Sequence, residues 1–145
     1  MKLVITENRL HDIIRKSLSI VFNGFENCDY TWADFNCGWG ICCDPYAIGF
    51  THPSSSEYDQ LIFKLVDSKN YDDNGNYPEE LKGELPKECE EQPNLLDPRF
   101  DTILFYEEYF EELENFLGPV DKIKTPLLNV LNEMFGMDAK VFIVL

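Results

Sequence analysis

The acidic charge of this chain is gathered in one internal stretch, and that placement constrains how the chain can fold. Residues 1–70 hold six basic and nine acidic side chains, residues 71–118 three and fifteen, and residues 119–145 three of each. The segments therefore carry net charges of −3, −12 and 0, which sum to the −15 of the whole. So many carboxylates in one stretch repel one another and raise the free energy of the compact state. Such a segment calls for solvent, a bound cation or a basic partner.

Against that charge stand a hydrophobic content of 44% and an aromatic content of 14%, enough for a real core. At 145 residues the chain has the size of one domain, with a long acidic loop at 70–97. No cluster of Lys and Arg appears, which argues against direct binding to nucleic acid or to an anionic membrane. Glu7, Arg9, Asp12, Arg15 and Lys16 interrupt any signal-peptide core. The apolar run Val141–Leu145 is far too short to span a bilayer. The expectation is a protein of the producing cell's cytoplasm. The cysteines are Cys28, Cys37, Cys42, Cys43 and Cys89; an odd number without a secretion signal favours reduced thiols.

The apolar periods predict an α+β domain: a small central sheet that includes the C-terminal strand, covered by three or four helices. Residues 6–22 read as the first helix, with Thr6 as cap and Leu10, Ile13, Ile14, Leu18, Val21 and Phe22 on one face. Met1–Ile5 reads as a short strand or arm. Short strands are expected near 30–35, 39–43 and 46–51, where aromatics and glycines replace the helical period. Ser54–Glu57 matches a capping box, and Tyr58, Leu61, Ile62, Leu65 and Val66 favour a helix, although Leu61–Val66 also fits a strand. Asp97 and Pro98 predict the start of one long helix over 98–117, which Gly118-Pro119 ends. Thr125 and Pro126 predict another over 126–135, stopped by Gly136. The run from Lys140 to Leu145 predicts a strand buried on both sides.

The opening Met1-Lys2-Leu3-Val4-Ile5-Thr6-Glu7-Asn8-Arg9-Leu10, followed by Ile13-Ile14-Arg15-Lys16, resembles the starts of small uncharacterised proteins of tailed bacteriophages. The resemblance covers the first 16 residues and transfers no catalytic motif. It implies a viral structural or accessory protein, found in the cytoplasm or the virion.

Four constellations bear on chemistry. Cys37, Cys42, Cys43 and His52 offer soft ligands, but adjacent Cys42 and Cys43 point to opposite sides of a strand and a second tight pair is missing. A cysteine hydrolase would need His52 as base, with Asp44 or Asn36 as orienter; the bland alternative is buried apolar thiols. Asp72-Asp73-Asn74-Gly75-Asn76 fails the EF-hand pattern in either register and reads as a solvated turn. The strongest signal is Glu107, Glu108, Glu111, Glu112 and Glu114. The pairs Glu107/Glu111 and Glu108/Glu112 are like-charged neighbours, each costing roughly 0.2–0.5 kcal/mol in an isolated helix. With Tyr109 these carboxylates read as a contact surface for a basic partner, or as an ordinary solvated face. Phe105, Tyr106, Phe110 and Phe116 widen the aromatic side beyond one core stripe.

The leading expectation is a non-enzymatic protein that acts through protein–protein contacts, with no cofactor and no catalytic or metal-binding residue. One alternative is an acidic mimic of nucleic acid that inhibits a host DNA-binding protein. Another is a Cys/His-dependent enzyme or zinc protein.

Overall fold

Two apolar alternations, one aromatic and one of small side chains, build the sheet at the centre of this protein. The computed structural model describes residues 7–37, 40–51, 61–72 and 93–145. Helix α1 (Glu7–Val21) and a 3-10 turn (Phe25–Asn27) lead into strands β1 (Asp29–Cys37), β2 (Gly40–Thr51), β3 (Leu61–Asp67) and β4 (Phe100–Phe105). Helices α2 (Glu107–Leu117) and α3 (Val120–Phe135) precede the last strand, β5 (Val141–Val144). The strands lie in chain order; β1 to β4 are antiparallel neighbours and β5 runs parallel to β4. A parallel pair needs a crossover, and α2 with α3 supplies it. The fold is α+β, with three α-helices and a five-stranded mixed sheet among the described residues, the sheet including the C-terminal strand. Among the described residues no helix is long and apolar enough to cross a membrane.

Strand alternation sends Trp32, Ile48, Phe50, Phe63, Leu65, Ile103, Phe105 and Phe142 to the face covered by the helices. They meet Ile14, Leu18 and Phe22 of the α1 region, Phe110 and Leu113 of α2, and Leu127 and Leu131 of α3. The rings of Phe50 and Phe63 stack at 4.2 Å, and those of Phe63 and Phe105 at 5.8 Å. The other face carries a smaller cluster of Ala33, Ala47, Val66, Leu104 and Tyr71. Arg15 of α1 reaches Glu133 of α3 at 2.8 Å, with His11 Nδ1 at 3.9 Å from the same carboxylate. His11 is therefore half-buried in a helix–helix contact and not a free surface side chain.

Several expectations need correction. The segment 98–117 is not one helix: β4 fills 100–105 and α2 begins at Glu107. Ile103, Leu104 and Phe105 are consecutive and all buried, which a strand between two neighbours achieves and an amphipathic helix does not. Asp97 caps no helix; its carboxylate accepts from the Arg99 backbone N–H at 3.0 Å and from the guanidinium. Leu61–Asp67 is a strand as well, with Ile62, Phe63, Leu65, Val66 and Asp67 buried. The strands expected at 39–43 and 46–51 are one bulged strand, β2. Helix α3 starts at Val120, so Pro126 lies inside it and removes the donor that the carbonyl of exposed Lys122 would use. Gly136 does end it, at φ 67°, its N–H donating to the Asn132 carbonyl.

β5 is the outer strand of the sheet and not a doubly buried one: Phe142 is buried, Val141 is exposed and Ile143 and Val144 lie between. The readings for Met1–Ile5, the capping box at Ser54–Glu57 and most of the acidic loop, 73–92, fall outside the described residues.

Candidate functional site

Helix α2 follows the last antiparallel strand without a loop. The Tyr106 N–H still donates to the Ile62 carbonyl of β3 at 3.1 Å, so Tyr106 belongs to the sheet and caps the helix at once. Phe110 and Leu113 anchor α2 in the core, with Tyr109 and Leu117 partly buried against it, which turns the glutamates outward. Glu107, Glu108, Glu111, Glu112 and Glu114 are all exposed. Glu107 and Glu108 occupy the first turn, where the helix dipole favours negative charge.

The five carboxylates divide. Glu107, Glu111 and Glu114 join Phe110, Val144 and Leu145 around a pocket of about 310 Å³. Glu108 and Glu112 lie on the side of Tyr109. Tyr109 is half-buried, its ring edge-on to Phe22 at 5.8 Å. Burial, then the charges of Glu108 and Glu112 and a hydrogen bond to Glu108, push its phenol above the usual range. Tyr109 is thus tied to the core. Of the other rings on this side, Phe105 and Phe110 are buried, Tyr106 is half-buried, and Phe116 is 57% exposed.

A second polar centre sits on the face of the sheet opposite the helices. Trp32 pairs with Ile48 but Ala33 pairs with Asp44, so Pro45, Tyr46 and Ala47 form a bulge in β2. Asp44 closes that bulge: its Oδ1 accepts from the Tyr46 N–H at 2.9 Å, and its Oδ2 accepts from the Tyr71 hydroxyl. Asp44 is only 2% exposed. Burial pushes its carboxyl up to about 7, against the opposing pull of the Tyr46 N–H and the Lys64 charge. The Lys64 ammonium lies 6.0 Å from the Tyr71 ring centre and 5.8 Å from that of Tyr106. Tyr71 also lines a cavity of about 190 Å³ with Val66, Thr102, Leu104 and Ile143.

Sequence reasoning singled out Asp44 only as an orienter for His52, and it missed Tyr71 and Lys64. Nothing in the sequence placed residue 71 over Asp44.

The thiol constellation is only partly placed. Cys42 lies opposite Phe35 and Cys43 opposite Asp34 on the β1–β2 ladder. The side chains of Cys37, Cys42 and Cys43, with all of His52 and Cys89, fall outside the described residues. Among the described residues no group of three or more His, Cys, Asp and Glu is arranged to hold a metal. Cys28 is buried, and burial with the nearby Asp29 charge pushes its thiol up to about 12. It is expected to stay unalkylated by iodoacetamide at pH 8 in the native protein and to react fully in denaturant. Peptide mapping after labelling checks this; native labelling at the rate of an exposed thiol would contradict the burial.

Compared with known protein families, with curated proteins and with solved structures, the chain gives no significant match.

Proposed function

We propose that this is a non-enzymatic contact protein whose α2 face binds a basic segment of a protein partner. The observation that carries the reading is a pocket lined by Glu107, Glu111 and Glu114 together with Phe110, Val144 and Leu145. A Lys or Arg side chain has the matching chemistry, an aliphatic stem for the apolar lining and a cation for the carboxylates. The carboxylates would gather the partner by long-range attraction, and the apolar lining would hold it. The reading as a viral structural or accessory protein is supported by the resemblance of the N-terminal segment alone.

The test is the triple change Glu107→Gln, Glu111→Gln and Glu114→Gln. Folding should be nearly unaffected. Relief of the Glu107/Glu111 repulsion gains roughly 0.2–0.5 kcal/mol. Loss of Glu107 from the helix N-terminus costs roughly 0.3–1 kcal/mol. Binding to the partner recovered from producing cells at low salt should weaken, mainly through slower association. Added salt should narrow the gap between wild type and variant. Equal association rates for the two proteins would assign this acidity to solvation alone.

A further inference from the structure

The acidic pocket takes Val144 and Leu145 into its lining, and the strand that carries them is an edge of the sheet. β5 has β4 on one side and, among the described residues, no strand on the other. Backbone groups alternate in side along a strand, as side chains alternate in face. The Leu145 N–H donates to the Phe105 carbonyl at 2.8 Å, and the Leu145 carbonyl accepts from the Glu107 N–H at 3.2 Å. Both backbone groups of Leu145 therefore face the β4 side. Those of Ile143 face the same way, and those of Phe142 and Val144 turn outward. Among the described residues no backbone group meets them there.

The two outer strands differ. β1 carries Asp29 and Asp34, and its ladder with β2 shifts register between Trp32 and Ala33. Charges and bulges of that kind blunt an edge against further pairing. β5 reads Val141-Phe142-Ile143-Val144, with no charge and no proline, and its register with β4 is unbroken.

The two faces beside β5 differ as well. Phe142 and Val144 point to the helices, where Glu107, Glu111 and Glu114 stand. Val141 and Ile143 point to the opposite face, where they line the cavity of about 190 Å³ with Val66, Thr102 and Leu104. A strand added at this edge would lie roughly 4.8 Å from β5 and send its own side chains alternately to those two faces. One face offers carboxylates and the other offers aliphatic carbons. The segment that matches both alternates basic and apolar side chains. A second copy of this chain matches poorly, because it would bring another net charge of −15 to the same edge.

We propose that β5 takes an extended segment of the partner as an added strand, with basic side chains toward Glu107, Glu111 and Glu114 and the alternate apolar ones against Val141 and Ile143. This mode rests on the α2 face being the contact surface. Main-chain hydrogen bonds to Phe142 and Val144 supply the pairing, and the two unlike faces set the register. A slip by one residue would put the basic side chains on the aliphatic face, so the register is strongly specified.

The probe is a short capped peptide of alternating lysine and valine, added to the full chain. Two analogues keep its charge, one N-methylated at every lysine and the other at every valine. Only one of the two sets of N–H groups can face β5, and the direction of the added strand decides which. The expected result is that one analogue binds about tenfold or more weakly than the parent, while the other keeps its affinity. On binding, amide exchange at Phe142 and Val144 should slow more than at Leu145, whose N–H is already bonded within the chain. Equal affinities for the two analogues, kept or lost together, would overturn strand addition. Slow exchange at Phe142 and Val144 in the free protein, together with a concentration-dependent dimer, would give the edge to a second copy and overturn it too. No binding of the parent peptide overturns it as well. The α2 contact is judged separately, by association of the triple glutamine variant with the cellular partner. If that association still slows, the α2 contact stands without the added strand; if it does not, both fall.

Discussion

Replacing Phe63 by alanine is expected to cost about 3–5 kcal/mol of folding stability. Phe63 is 0% exposed and sits mid-strand in β3, the central strand of the sheet. Its ring lies between those of Phe50 and Phe105, at 4.2 and 5.8 Å, and meets Phe25 and Phe135 at 6.4 and 6.0 Å. Truncation removes the transfer free energy of a whole ring and leaves a cavity whose walls are themselves rings fixed on strands β2 and β4. Such walls cannot collapse inward without disturbing the ladders, so the cost belongs at the upper end of the range. Against a total of about 5–15 kcal/mol for a domain, this leaves a marginal protein. Phe116→Ala is the control: at 57% exposure its removal should change stability by less than about 0.5 kcal/mol. Denaturant melts with equal slopes for the two variants check both values. A loss below about 1 kcal/mol at Phe63 would mean that the three-ring stack does not hold the sheet together.

The parts of the fold that were legible are those where one period dominates. In α1, Ile14, Leu18 and Phe22 are buried at helical spacing, and the helix runs over Glu7–Val21, close to the 6–22 expected. The glycine at 136 takes a positive φ, as a stop signal at a helix end should. The misreadings share one cause. In β3 and β4 both faces of the sheet are covered, so apolar residues run consecutively and every third or fourth one is apolar by default. Phe100, Ile103 and Tyr106 therefore imitate a helical stripe that continues into the true helix at Glu107. β-branching and the pair Ile103-Leu104 were the available signals for a strand, and length argued against them. Prolines misled in both directions: Pro98 sits in a turn, and Pro126 lies inside α3.

The site was legible to a different degree. Exposure of the five glutamates followed from the like charges alone, because no core accepts them. Which three share a pocket with the C-terminal strand depended on where β5 lies, and that is a matter of tertiary packing. Tyr109 shows the limit of composition: its edge-on contact with Phe22 is set by where α1 packs, which the neighbouring glutamates do not reveal. Asp44 lies further still beyond the sequence. Its burial comes from a bulge that places it opposite Ala33, and from Tyr71, which stands 27 positions along the chain.

Deleting Val141–Leu145 should abolish cooperative unfolding. The strand is short and at the sheet's edge, so its backbone ladder alone would not justify that. Its side chains and ends do. Phe142 is 2% exposed and meets Phe105 at 5.7 Å and Phe110 at 6.0 Å, which ties the sheet to α2. The Leu145 N–H donates to the Phe105 carbonyl at 2.8 Å, and the Leu145 carbonyl accepts from the Glu107 N–H at 3.2 Å. The second of these satisfies a backbone donor in the first turn of α2, where the helix has none of its own. Loss of Phe142 alone corresponds to a cost of about 3–5 kcal/mol. The freed edge of β4 then leaves backbone groups unpaired beside the buried Ile103 and Leu104. Together these losses approach the whole stability of a domain of this size. The expected product keeps helical far-ultraviolet circular dichroism, loses its near-ultraviolet signal and binds a hydrophobic dye. A truncated chain that melts cooperatively near the full-length temperature would contradict the structural role of Phe142. Phe142→Leu separates the two contributions: it keeps the ladder and the Leu145 bonds, and it should cost less than the deletion while remaining cooperative.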